Sequence, residues 1–143
     1  LQGTGKASGP LLGGCVEVFM MLFGTPLWPS PEEWRGKLLL LETSESDSSP
    51  GLLAWVLRNL QGQGVLHAVR GIVVGKPAFA DKLEPYKEVL RQVVGFEAGL
   101  PGLPILYNVN VGHAYPIGLF PLGLEYEIDC EAKTLTLLEP ATQ

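Results

Sequence analysis

Apolar residues along this chain fall into short runs of differing period, separated by glycine and proline. Leu38 to Leu41, within Lys37–Glu42, is an unbroken apolar run, which predicts a strand covered on both faces. Gly71 to Gly75 predicts a second buried strand, ending at Lys76-Pro77. Pro104 to Asn108 predicts a third, breaking at Gly112-His113. Leu124, Tyr126 and Ile128 alternate instead, as do Leu135 and Leu137, so 122–129 and 133–138 read as a hairpin joined by Cys130-Glu131-Ala132.

Helical spacing appears in two places. Leu52, Leu53, Val56, Leu57 and Leu60 recur on one face, after a start signal of Ser49 as N-cap and Pro50 at the first position. Gly62 and Gly64 stop that helix. Leu83, Tyr86, Leu90 and Val93 predict a second helix from about Lys82 to Val94. Near the start, residues 1–6 read as the tail of a strand and Ala7 to Pro10 as a loop. Gly13-Gly14 then opens an apolar stretch, Cys15 to Phe23, with the length of two or more helical turns. Gly24 closes it, and Pro26, Pro29 and Pro31 predict an irregular loop as far as Trp34. The expectation is one mixed α/β domain, residues 1–143, with short strands and two or three helices.

Composition narrows the function classes. With 46% hydrophobic and 17% charged residues, the 143-residue chain is globular. Its net charge of −5 and lack of a basic run argue against nucleic acid or an anionic membrane as partner. The longest apolar stretch near a spanning pattern, Val16 to Phe23, is about half the needed length and contains Glu17. Two distant cysteines, Cys15 and Cys130, form neither a disulfide framework nor a CxxC metal motif, and a reduced, cytoplasmic protein is expected. The opening residues resemble neither a signal peptide nor a natural start, so the chain is expected to be cut from a longer one.

His113 is the first candidate for chemistry, because it follows a buried strand on a glycine-led loop, where α/β proteins place working residues. His67, between a helix and a strand, has no such setting. Glu42 ends the Leu38–Leu41 run, so its carboxylate needs a donor, either a backbone N–H or the His113 ring. A carboxylate bonded to an imidazole N–H fixes the tautomer and stabilises the imidazolium. The nucleophile is missing: there is no GxSxG, and Ser44, Ser46, Ser48 and Ser49 sit in one polar loop that capping and solvation explain. No His/Glu spacing suits a metal, and Gly3-Thr4-Gly5-Lys6 is too short for a phosphate loop. No cofactor is expected.

Several segments in order then match a known pattern: GPLLGGCVEV at residues 9–18, the Gly24-Thr25 step with its proline-rich loop to Trp34, GKLLLLETSE at 36–45, GIVVGK at 71–76, LPILYNVNVGHAYP at 103–116 and EIDCEAKTLTLLE at 127–139. Together they resemble the LD-carboxypeptidase family, and within it the microcin-immunity, MccF-type, serine peptidases. The resemblance implies a two-domain enzyme. An N-terminal α/β domain would present the serine and oxyanion hole. The C-terminal domain, of the swivelling β/β/α kind, would supply Glu42 and His113, and the active site would lie between the two. This chain without the serine is then expected to be inactive.

By the same resemblance, the substrate is either an aminoacyl or peptidyl nucleotide amide, as in the immunity branch, or a cytoplasmic muropeptide losing a D-amino acid. ETSE and GGCVE lean towards the first. Glu17 falls where immunity members place a polar residue near the nucleotide part, and Lys76 ends a strand that would face the cleft. The contrasting expectation is a ligand-binding domain that keeps the fold without catalysis. Tyr115, Pro116 and Phe120 around His113 are expected to lie exposed and drive self-association, and family members are often homodimers.

Overall fold

The computed structural model describes residues 1–46 and 49–142, so Ser48 of the polar loop lies outside the described residues. Six strands form one sheet in the order β4-β3-β2-β1-β5-β6. They are β1 (Lys6–Cys15), β2 (Leu38–Glu42), β3 (Gly71–Gly75), β4 (Ile105–Val109), β5 (Glu125–Asp129) and β6 (Thr134–Leu137). β1 to β4 run parallel, whereas β5 pairs antiparallel with β1, and β6 antiparallel with β5.

The two kinds of strand follow from the two apolar patterns. Every residue of β2 and β3 is buried, because both faces of the parallel sheet are covered. Leu39, Leu41, Ile72 and Val74 point into one core beneath the helices. Leu38, Leu40 and Val73 point into a second core closed by Tyr126 and Ile128 of β5 and flanked by Leu135 and Leu137 of β6. Helices, parallel sheet and folded-over hairpin thus make β/β/α layers. Burying each such Leu or Val contributes about 1.5–3 kcal/mol relative to exposure.

The helical layer carries the crossovers between parallel strands. α1 (Val16–Phe19), continued by a 3₁₀ turn at Met20–Leu22, and α2 (Pro31–Trp34) lie between β1 and β2. α3 (Pro50–Gly62) and the single turn α4 (Val65–Ala68) lead to β3. α5 (Leu83–Leu90) precedes β4 and runs on as a π-helical segment, Arg91–Glu97, three residues past the expected end. Ser49 caps α3 as its sequence predicts, its hydroxyl accepting the Leu52 N–H at 3.1 Å with Pro50 in the first turn. α3 buries Leu53, Ala54, Val56, Leu57 and Leu60, and α5 with its extension buries Tyr86, Leu90, Val93 and Val94.

The first 35 residues depart most from expectation. Ala7 to Pro10 is no loop: Lys6–Cys15 is a single ten-residue strand, and the helix starts only at Val16. Its first half pairs with β5 and its second half with β2, so two neighbours share one strand. Glycine permits this at close approach. A Cβ on Gly13, at φ +146°, would collide with the Leu40 carbonyl across the ladder. The proline-rich loop also hides one helical turn. Ser30 and Glu33 form a reciprocal capping box, the Ser30 N–H donating to Glu33 Oε2 at 2.7 Å, and α2 buries Trp34. Trp34, Trp28 and Phe19 then cluster with ring centroids 4.9–5.8 Å apart, Phe19 meeting Trp34 edge-on and the other pairs tilted.

Candidate active site

The carboxyl ends of β1, β2 and β3 lie side by side, and β2 delivers Glu42 there. The residue is 8% exposed. Its side chain is packed by two glycines that leave room for nothing larger. A Cβ on Gly75 would lie 2.8 Å from the Glu42 Cβ, and one on Gly112 would lie 2.5 Å from Oε2. Gly112 also sits at φ +101°, a conformation that favours glycine. It is the turn at Gly112 that brings the next residue round to the carboxylate.

That residue is His113, whose Nδ1 lies 2.9 Å from Glu42 Oε2 although 71 positions separate them. The ring is 41% exposed, so the pair is buried on the carboxylate side and open on the imidazole side. Nε2 faces outward, 3.8 Å from Glu45 Oε2. The hydrogen bond to Glu42 raises the His113 pKa above the ordinary histidine value, since an adjacent carboxylate favours the imidazolium. A carboxylate that orients one ring nitrogen and leaves the other for proton transfer is what a general base requires.

Glu17 stands beside this pair and grips the turn that follows Glu42. Its Oε1 accepts from the Ser44 N–H at 3.1 Å and from the Ser44 hydroxyl at 2.9 Å, and Oε2 lies 3.2 Å from Cys15 Sγ. Lys76 lies on the other side of His113. Its Nζ is 3.4 Å from the Tyr115 carbonyl, and with Asn108, His113, Tyr115 and Leu83 it lines a cleft of about 420 Å³. His67 is elsewhere, in a hollow with Trp34, Arg35 and Gln63.

Two residues at the site carry no signal in the chain's periodicity. Asn108 occupies a bulge in β4, where Val74 pairs with Tyr107 but Gly75 with Val109. It adopts φ +66°, a left-handed conformation that asparagine tolerates better than most residues, and so lines the cleft. Cys15 is the register partner of Glu42, and burial pushes its thiol up to about 11. The apolar loop after His113 is divided. Tyr115 is 87% exposed and Pro116 is exposed, but Phe120 turns inward and stacks on Tyr126 at 6.3 Å. Leu119, 95% exposed, is the outward-facing residue there instead.

Fold and site define an α/β domain that offers a histidine–carboxylate pair at the carboxyl edge of its parallel strands. The chain belongs to the LD-carboxypeptidase C-terminal domain family, whose model matches residues 8–128. It is 34% identical over 139 residues to a Streptomyces coelicolor protein that is a carboxypeptidase by name, covering 96% of this chain and 42% of that one. It is 28% identical over 141 residues to the microcin C7 self-immunity protein MccF of Escherichia coli, covering 96% of this chain and 38% of that one. The crystal structure of an MccF-like protein from Streptococcus pneumoniae in complex with AMP superposes with a TM-score of 0.82 at 31% identity, over 95% of this chain and 42% of that chain. The chain therefore spans about two fifths of the length of these relatives. Among the described residues, no helix is long and apolar enough to cross a membrane.

Proposed function

We propose that this chain supplies the histidine and the carboxylate of a Ser-His-Glu triad in a carboxypeptidase-type amide hydrolase. The single observation that carries the reading is the 2.9 Å contact between His113 Nδ1 and the buried Glu42 carboxylate, on an imidazole that is itself exposed. The serine and oxyanion hole come from a separate N-terminal domain that docks over the carboxyl edge. Nε2 takes the serine proton as the hydroxyl attacks the amide carbonyl, and returns it to the leaving amine. Glu42 keeps Nδ1 protonated and stabilises the imidazolium formed in between.

For substrate we favour an aminoacyl or peptidyl nucleotide amide, because relatives that share nearly the whole chain include an immunity protein and an AMP complex. Lys76, lining the cleft with His113, is placed to meet an anionic part of that substrate, and Glu17 borders the site through the Ser44 turn. A second reading, a muropeptide LD-carboxypeptidase, is favoured by the family itself. A cytoplasmic site of action and assembly as a homodimer belong to the same proposal.

The test is turnover by the full-length parent of two substrates, a peptidyl nucleotide amide and an L,D-linked muropeptide, with wild type and His113→Ala. Cleavage of the first, lost in the variant, is the expected result. Cleavage of the muropeptide alone selects the second reading. Undiminished activity of His113→Ala sinks both and leaves a ligand-binding domain. Residues 1–143 alone are expected to be inactive.

A further inference from the structure

Local spacing gives this chain no metal motif, yet the sheet assembles a set of metal-binding atoms from three separate segments. Cys15 and Glu42 end adjacent parallel strands in direct register, and the Gly112 turn brings His113 over them. The Cys15 sulfur, a Glu42 carboxylate oxygen and a His113 ring nitrogen all lie within 4.8 Å of one another. We propose that Cys15, Glu42 and His113 form a three-ligand site for a borderline-soft divalent cation, with Zn²⁺ the best chemical match.

The donor set selects the ion. Thiolate, imidazole and carboxylate together suit zinc, whereas calcium and magnesium prefer all-oxygen sites. Zinc–ligand bonds of about 2.0–2.3 Å put tetrahedral ligands roughly 3.3–3.7 Å apart, so the trio needs to close by only about 1 Å. Nδ1 and Oε2, at 2.9 Å, would instead open by a few tenths of an ångström. Glu42 is nearly buried and closely packed by Gly75 and Gly112, so the adjustment falls on the Cys15 and His113 side chains, both partly open to solvent.

The protons balance simply. The metal–sulfur bond replaces the Cys15 S–H bond, and that proton passes to solvent, with Glu17 Oε2 3.2 Å from the sulfur as the first acceptor. If Nδ1 is the ligand, its proton is lost and Nε2 carries the N–H. Three protein ligands leave one position open to water or substrate. A metal at Nδ1 also breaks the contact with Glu42, so Zn²⁺ would inhibit the full-length enzyme. That consequence alone rests on the triad proposed above.

Co²⁺ titrated into the 143-residue chain, and into its full-length parent, under reducing conditions tests the site without any turnover. One equivalent is expected to bind with a thiolate-to-cobalt charge-transfer band, and Zn²⁺ is expected to displace it. Cys15→Ser should abolish the band and His113→Ala should weaken binding about tenfold or more, while Cys130→Ser changes neither. His113 is exposed enough that its removal leaves the fold intact, which circular dichroism checks. A band that survives in Cys15→Ser, or affinity unchanged in His113→Ala, overturns the site. Because the readout is spectroscopic, its failure is separate from failure of the triad.

Discussion

His113 and His67 each line a hollow on the surface, and the two regions are built on different physics. The His67 hollow, about 230 Å³, lies where α2 and α4 meet beside Gln63. His67 there is an exposed side chain on a one-turn helix, and no described carboxylate forms an ion pair with it. His113 sits at the carboxyl edge of parallel strands whose ladders fix its surroundings. Its partner Glu42 is nearly buried, with Gly75 against its Cβ and Gly112 against its carboxylate. A concave surface is common, whereas a buried acid held against one imidazole nitrogen costs desolvation and is kept only by a specific arrangement.

The sharpest break in this comparison is removal of the carboxylate's charge. If the proposed triad operates in the full-length parent, Glu42→Gln should lower kcat/KM by about 10³–10⁴-fold, since the amide no longer stabilises the imidazolium. His67→Ala should leave kcat/KM within about twofold of wild type. Comparable losses at both positions in steady-state assays would erase the distinction.

A somewhat smaller effect should follow from Gly112→Ala. The added methyl meets Glu42 Oε2 at 2.5 Å and the residue is held at φ +101°, so the pair must move apart. About 1–3 kcal/mol of stability should be lost by thermal or urea unfolding, with kcat/KM falling about 10²-fold. Gly62→Ala, at the end of α3 and facing open space, is the matched control and should lose neither.

Acidity gives a third test. The proposed general base works only when neutral, so if His113 fills that role its raised pKa places the acid limb of kcat/KM above the ordinary histidine value of about 6.5. The carboxylate causes that shift by favouring the charged ring. Residual activity of Glu42→Gln should therefore have its acid limb moved to lower pH. A limb that stays in place would show that another group titrates.

The smallest expected effect is at Glu17. Glu17→Gln keeps the shape but weakens the grip on the Ser44 N–H and hydroxyl, loosening the turn that places Glu45 near Nε2. A loss of about tenfold is expected, mainly in KM if the turn contacts substrate and mainly in kcat if it only steadies His113.

Much of this was legible because it is local. Continuous apolar runs marked β2 and β3, alternation marked the closing hairpin, and Ser49-Pro50 marked the start of α3. Glu42 was conspicuous as an acid at the end of a buried run, and His113 as a histidine after a strand and a glycine. β1 was not legible. Gly9, Pro10, Gly13 and Gly14 are poor strand formers by propensity, and only pairing with β2 and β5 makes them one. Ser30 and Glu33 carried a readable capping signal beneath the prolines. Asn108 gave none, because a bulge is a property of two paired strands.

Periodicity, turn chemistry and end signals act over a few residues, so they were enough for a mixed α/β domain, most of its elements and two candidate side chains. Which atoms meet is a matter of register across the sheet, which no local signal carries. Parallel pairing set Cys15 beside Glu42, and the turn at Gly112 laid His113 on the same carboxylate across 71 residues of chain. No spacing rule spans such distances, because the ladder and the cores on its two faces fix them, not the chain between.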